Sequence, residues 1–250
     1  MKAVIITVAG ISSRFNEGIP EAEKQLKAVY HSGDRKDTLL YHLIKKCAFA
    51  DRIIVVGGYR FDSLEDYCRG LDERDRITLV YNEHYADLGS GYSLYLGLRE
   101  ALRDAVDEVL FVEGDLDIDR GSFDRAAGSD VSVLTYNFEP IYANKAVVLY
   151  RDVQDRYRYA FNSSHGLLSI DGPFSCILNS GQLWKFTDMD ALRAANEGFY
   201  AHEKDGTNLR IIQRYLDAGV ECRLVGLERW TNCNTRADYE KIVSYWEEEV

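Results

Sequence analysis

The feature that most constrains the fold is a repeated pairing. A short continuous run of apolar, mostly β-branched residues is followed each time by a longer stretch with helical periodicity. The runs are residues 3–8 (AVIITV), 52–56 (RIIVV), 77–81 (ITLVY) and 108–112 (EVLFV). They do not alternate apolar with polar residues, so both faces must be covered, as in a parallel sheet with helices on either side. Between them, residues 38–49 carry Leu39, Leu40, Leu43, Ile44 and Cys47 near helical spacing. Residues 63–71 read as a short helix opened by a Ser63–Asp66 capping box, and 90–105 as a helix with the stripe Leu94, Leu98, Ala101 and Leu102. After Val131 the pattern loosens. The segments DVSVLTY, KAVVLYR and YRYAFN follow one another with no helix between them, which predicts antiparallel strands. Helices return at 188–202 and 208–218, a strand at 222–227, and a Thr235–Asp238 capping box opens a last helix. The expected fold class is α/β, a mostly parallel Rossmann-like sheet flanked by helices. It forms a single domain over residues 1–250, with a small β-rich insert at about 138–185.

Composition narrows the function. A formal net charge of -11 argues against a nucleic-acid partner, so any nucleotide site must build its positive potential locally. Five cysteines without a CxxC spacing suggest a reducing compartment and no zinc site. No stretch approaches the ~20 apolar residues of a membrane span. The apolar run after Lys2 is too short for a secretion signal, so a cytoplasmic chain is expected.

Ligands of open α/β sheets bind beyond the carboxyl ends of the strands. The segment Ala9-Gly10-Ile11-Ser12-Ser13-Arg14 sits there. Small residues let backbone N–H groups approach phosphate oxygens, and Arg14 adds a forked cation. Read alone, the segment is equally a plain turn with a surface arginine. It is neither a Walker A loop nor the dinucleotide GxGxxG. Lys24 follows in a long irregular stretch, where two cations flanking one phosphate would make sense. Glu113-Gly114-Asp115 ends the fourth run and puts carboxylates at the same sheet edge. Acidic groups beside a phosphate loop call for a divalent cation, and Mg²⁺ takes one or two carboxylates plus substrate phosphate. Asp117 and Asp119 read as an ordinary acidic turn. Asn234, before the Thr235 cap, is placed as a further oxygen ligand. In residues 82–97, Ser90, Tyr92 and Ser93 stand at a helix N-terminus suited to an anion or a base edge, whereas Tyr95 reads as core.

In their order, these stretches resemble the nucleotidyltransferases with a GT-A-like fold. That family opens with an A-G-x-G-x-R loop, follows it with a Lys before an apolar residue, places a metal Asp after the fourth strand, and turns into its last helix through D/N-T-x-x-D-[LY]. Within it, VYNEHYADLGSGYSLYLG is similar to a loop of bacterial phosphocholine and 2-aminoethylphosphonate cytidylyltransferases. The resemblance spans nearly the whole chain and thins between about Phe138 and Gly219. Three positions depart from it: Ser12 stands for the second loop glycine, Glu23 for a proline, and Asn234 for an acidic metal ligand.

The resemblance implies transfer of CMP from CTP to a small phosphorylated or phosphonate alcohol or amine, with release of pyrophosphate and Mg²⁺ as cofactor. It implies Arg14 and the loop N–H groups of residues 9–13 on the β- and γ-phosphates, Lys24 near the α-phosphate, Asp115 and Asn234 on Mg²⁺, and Tyr92 and Ser93 on the cytidine. On the acceptor side, a choline group would call for aromatic faces and a carboxylate. Glu113, Tyr142, Tyr159, Phe161, Trp184, Glu228 and Trp230 are the candidates, although a chain with 17 Tyr places aromatics in any window by chance, and each aromatic taken alone reads as core packing. A homodimer is one assembly this leaves open. A sugar-1-phosphate nucleotidyltransferase shares the loop, the Lys and the Asp. A nucleotide-binding regulatory domain without catalysis would accommodate Ser12 and Asn234. A GT-A glycosyltransferase would use Asp115-Leu116-Asp117 as its D-x-D but has no role for Lys24.

Overall fold

The computed structural model describes residues 1–143, 147–161 and 167–248. The four apolar runs are strands β1 (Lys2–Thr7), β2 (Arg52–Gly57), β3 (Ile77–Tyr81) and β4 (Glu108–Glu113). Strand β5 (Leu116–Ile118) follows at once, then β6 (Ser132–Asn137), β7 (Val148–Asp152), β8 (Tyr157–Tyr159), β9 (Phe174–Phe186), β10 (Cys222–Leu227) and β11 (Trp230–Asn232). The helices are α1 (Leu39–Lys46), α2 (Phe61–Arg69), α3 (Ser90–Ala101), α4 (Arg120–Ala127), α5 (Met189–His202), α6 (Asn208–Asp217) and α7 (Arg236–Glu248).

The main sheet runs β10-β6-β9-β4-β1-β2-β3. Strands β3, β2, β1 and β4 are mutually parallel, and β10 is parallel to β6. Strand β9 enters antiparallel between β4 and β6, and its first half pairs with β7, which in turn pairs with β8. The chain thus forms a mixed α/β sheet, mostly parallel and flanked by helices. Alternate residues of β1 enter opposite layers, as the strand period of two requires. Val4 and Ile6 pack under Leu40, Leu43, Leu64 and Phe123 of α1, α2 and α4. Ala3 and Ile5 pack under Leu94, Leu98, Phe199 and Ile211 of α3, α5 and α6.

One local expectation fails, one is met, and one strand forms where none was read. The Ser63–Asp66 pair lies inside α2, whose N-cap is Arg60 in the left-handed region at φ 52°, so it caps nothing. The Thr235–Asp238 box does form: Thr235 Oγ1 accepts from Asp238 N at 3.2 Å, and Asp238 Oδ2 accepts from Thr235 N at 2.8 Å. Strand β9 has no sequence expectation behind it, because Asn179, Ser180, Gln182 and Lys185 break its apolar pattern, yet all four are buried. Lys185 finds its partners elsewhere in the chain: its Nζ donates to the carbonyls of Ala127 and Ser129 at 2.7 and 2.6 Å and pairs with Glu108 at 2.8 Å. Lys145, Ala146 and Asn162, at the ends of two expected strands, lie outside the described residues.

Candidate nucleotide and acceptor site

Strand order reverses at β1, with β2 on one side and β4 on the other. The crevice beyond their carboxyl ends is the switch point at which such sheets bind ligands. Two cavities lie along this edge. The first, about 310 Å³, is lined by Ala9, Gly10, Ser12, Lys27, Ser93 and Asp115 among others. The second, about 390 Å³, includes Arg14, Tyr142, Trp230, Asn232, Asn234 and Lys241.

The loop after β1 is anchored at both ends. Ala9 O accepts from Tyr59 N at 3.2 Å. Asn16, 2% exposed, clamps the far end: its amide nitrogen donates to Ser12 O at 3.1 Å and Gln25 O at 2.9 Å, and its oxygen accepts from Gln25 N at 3.0 Å. Ser12 takes φ 54°, a left-handed conformation that only glycine adopts without penalty, so the turn is kept at a cost in strain. Within the loop, Ala9, Gly10 and Ser12 line the first cavity, while Ile11 and Ser13 are exposed and outside its lining. Arg14 belongs to the second cavity.

Lys24 is placed differently from its sequence reading, and a second lysine takes the position expected of it. Lys24 Nζ sits 2.7 Å from Glu21 Oε2, which raises its pKa, and it lines neither cavity. The ammonium in the first cavity is that of Lys27, 3.0 Å from Asp115 Oδ2.

Asp115 and Asn234 come to neighbouring turns because β5 and β11 pair antiparallel and Cys233 N donates to Asp115 O at 2.8 Å. Gly114 makes the turn possible, since a Cβ there would lie 2.3 Å from Val8 Cγ1 and 2.9 Å from Thr7 O. Asp115 Oδ1 and Asn232 Oδ1 are buried without a hydrogen-bond partner. Glu113 faces the first cavity, where its Oε1 accepts from Asn208 Nδ2 at 2.6 Å. Burial and the neighbouring Asp115 carboxylate push Glu113 up to about 7. Among the described residues no group of three or more His, Cys, Asp or Glu is arranged to hold a metal ion. The unpartnered oxygens of Asp115 and Asn232 are hard donors of the kind Mg²⁺ accepts, in a set that leaves most of the coordination to substrate phosphate and water.

Asp117 does not join Asp115 as a D-x-D pair. Its carboxylate is 1% exposed and accepts from Trp246 Nε1 at 3.0 Å, lies 3.5 Å from Lys46 Nζ, and is bonded by Arg229. Asp119 caps α4 through Ser122 N at 2.8 Å. At the N-terminus of α3, Ser93 is 5% exposed, lines the first cavity and accepts from Asn82 Nδ2 at 2.9 Å. Ser90 also lines it and accepts from Asn208 N at 3.2 Å.

Several candidates leave the site. Tyr92 lies off the cavity, edge-on to His84 at 5.3 Å, because its position on α3 turns it away from Ser93. Tyr159 and Trp184 are core: Trp184 stacks on Phe111 at 5.0 Å and donates from Nε1 to the Tyr159 hydroxyl at 2.7 Å. Glu228 pairs with Arg125 at 2.9 Å on an exposed surface. Phe161 lies under the Arg210 guanidinium, 4.1 Å from its ring centroid. Of the proposed acceptor residues, Tyr142 and Trp230 reach the second cavity and Glu113 the first.

Sequence reasoning missed Lys27, Asn82 and Tyr85, which line the first cavity. Tyr85 lies against the backbone at Gly58, where a Cβ would come within 2.3 Å of its own Cβ. The sequence signal for Asn82 and Tyr85 was their place in the 82–97 segment; for Lys27 it was the apolar Ala28 that follows it directly, where Lys24 is followed by Gln25.

The same overall fold is found in solved structures. The chain is similar to the inositol-1-phosphate CTP transferase of T. maritima at 15% identity and TM-score 0.70, over 100% of this chain and 98% of that one. It is similar to the CTP:phosphocholine cytidylyltransferase of Streptococcus pneumoniae at 16% identity and TM-score 0.64, over 98% and 99%. A nucleotidyl transferase from Methanothermobacter thermautotroptrophicus aligns at 19% identity and TM-score 0.63, over 100% and 99%. At these identities the likeness is one of fold. No curated protein matches by sequence. No described helix is long and apolar enough to cross a membrane. One family model matches, over residues 23–246, and the chain therefore belongs to the family described as Domain of unknown function (DUF6564).

Proposed function

We propose that the protein is a Mg²⁺-dependent nucleotidyltransferase that moves CMP from CTP to a small phosphorylated or phosphonate alcohol or amine. The observation that carries this reading is the shared cavity at the sheet's switch point. The loop residues Ala9, Gly10 and Ser12, the α3 N-terminal Ser93 and the carboxylate of Asp115 all line it. The fold it shares with two CTP-using transferases supports the choice of nucleotide.

An oxygen of the acceptor's phosphate or phosphonate attacks the α-phosphorus of CTP. The bond to the bridging oxygen breaks, and its electron pair leaves with pyrophosphate. The nucleophile is already an anion, so no general base is needed and catalysis is positioning plus charge neutralisation. The loop N–H groups hold the β- and γ-phosphates. Ser93, fixed by Asn82, faces the cytidine. Arg14, on the second cavity, orients the acceptor's anionic group, and Lys24 joins the phosphates by exchanging Glu21 for them. Asp115 and Asn234 would hold Mg²⁺ together with the triphosphate, and the ion would supply neutralisation of phosphoryl charge there.

In the second cavity, Arg14 and Lys241 suit an acceptor phosphate, while Tyr142, Trp230 and Glu139 suit an ammonium group. A second reading is favoured by the amides of Asn179, Asn232 and Asn234 on the same walls, since paired donors and acceptors suit the hydroxyls of a sugar or polyol phosphate. Four nucleoside triphosphates assayed against phosphocholine, 2-aminoethylphosphonate, glycerol and inositol phosphates and hexose-1-phosphates, with pyrophosphate release as the readout, decide between them. Turnover with CTP alone, lowered by orders of magnitude in Asp115→Ala, is the expected result. Absence of Mg²⁺-dependent pyrophosphate release with every pair would leave a nucleotide-binding domain without catalysis.

A further inference from the structure

Lys27 was not among the residues that the motifs single out, yet it supplies the cation of the first cavity. Its Nζ lies 3.0 Å from Asp115 Oδ2, and the two side chains are 15% and 26% exposed. Its backbone N–H points to Ser12 Oγ at 3.4 Å, so Lys27 stands beside the loop. The other cations of the region are elsewhere, Lys24 on Glu21 and Arg14 on the second cavity. The charged groups facing Lys27 are Asp115 and Glu113. Without Lys27, these two carboxylates, together with the unpartnered oxygens of Asp115 and Asn232, would make an oxygen-rich set able to take a hard cation unaided. With Lys27 in place, one Asp115 oxygen is occupied and its charge is cancelled.

We propose that Lys27 is a substrate-contacting residue that couples the divalent cation to the nucleotide. In the free protein its ammonium neutralises Asp115. When a triphosphate enters, the ammonium moves onto a phosphate oxygen and releases Asp115, so cation and nucleotide bind together. This rests on the reading of the first cavity as a triphosphate site. The move requires only rotation of the lysine stem about its single bonds, with no proton transfer and no backbone change. Coupling of this kind between two ligands is worth about 5- to 150-fold in either affinity.

The test measures binding rather than turnover. Mn²⁺ affinity is measured without nucleotide by the electron paramagnetic resonance of free Mn²⁺, and CTP and tripolyphosphate affinity without metal by calorimetry. Wild type, Lys27→Met and Lys27→Arg are compared, each checked by thermal melting. Lys27→Met should bind Mn²⁺ alone at least about 10-fold tighter than wild type and metal-free CTP at least about 10-fold weaker. Lys27→Arg, which keeps the cation, should follow the wild type in both. Wild type that binds CTP, with Mn²⁺ affinity unchanged by Lys27→Met, overturns the role of Lys27 alone. Wild type that binds neither CTP nor tripolyphosphate, with or without Mn²⁺, overturns the nucleotidyltransferase reading as well.

Discussion

The left-handed backbone at Ser12 leads to an ordered series of stabilities. A non-glycine residue in this region costs about 1–2 kcal/mol. Glycine removes that cost but gives back about 0.5–1 kcal/mol through its greater freedom in the unfolded chain. The Ser12 hydroxyl contributes little against this, because its contacts with Gly10 O and Lys27 N are both long, at 3.4 Å. Ser12→Gly should therefore raise stability by about 0.5 kcal/mol, or about 1–2 °C in Tm for a chain of this size. Ser12→Ala keeps the strain, loses the hydroxyl, and should fall by a few tenths of a kcal/mol. Ser12→Val places a β-branched residue at φ 54° and should lose about 2 kcal/mol or more. The Gly-to-Val difference of about 2.5 kcal/mol is the robust quantity, since it cancels the hydroxyl. Urea unfolding at fixed pH measures it through midpoints at constant m-value. A valine variant within about 0.5 kcal/mol of the glycine variant would refute a strained turn at this position.

Other perturbations test the scaffold behind the cavities. Asn16→Ala removes three hydrogen bonds from a buried amide and should cost about 2–3 kcal/mol, with faster proteolysis between residues 9 and 27; an unchanged melting curve counts against the clamp. Asp117→Asn leaves Lys46 and Arg229 facing a neutral group and should cost about 3–5 kcal/mol by denaturant unfolding; a loss below about 1 kcal/mol would mean the network is solvated. His42 stacks on Trp246 at 3.7 Å, and burial, then Lys46, pushes its pKa from 6.5 to about 4. The unfolded chain takes up this proton first, so the contribution is full above pH 6.5 and is lost as pH falls toward 4. The loss approaches 1.4 kcal/mol per pH unit, about 3 kcal/mol in all. His42→Phe should flatten the slope of unfolding free energy between pH 6.5 and 5; equal slopes in both proteins would remove His42 as its source.

What the sequence determined by itself is whatever depends on near neighbours in the chain. Short continuous apolar runs favour strands covered on both faces, and β1 to β4 formed where the runs predicted; β1, β2 and β4 are buried along most of their length, whereas β3 is the edge strand, half-buried with Tyr81 exposed. The Thr235–Asp238 box and the loop after β1 were equally legible, since a cap and a strand-end turn are local geometries. The Ser63–Asp66 pair matched the same pattern and failed, because α2 starts two residues earlier, at Phe61, behind Arg60 in the left-handed region. Tertiary structure alone decided the rest. Strand β9 was invisible because Asn179, Gln182 and Lys185 look like a loop; Lys185 can be buried only because Ala127, Ser129 and Glu108, distant in sequence, supply its partners. Trp184 and Tyr159 read either as core or as part of an acceptor cage, and the sheet places both in the core. Lys24 and Lys27 are three residues apart and chemically identical in the sequence. Only the folded chain sets Glu21 beside one and Asp115 beside the other, because electrostatic partners are chosen by distance in space.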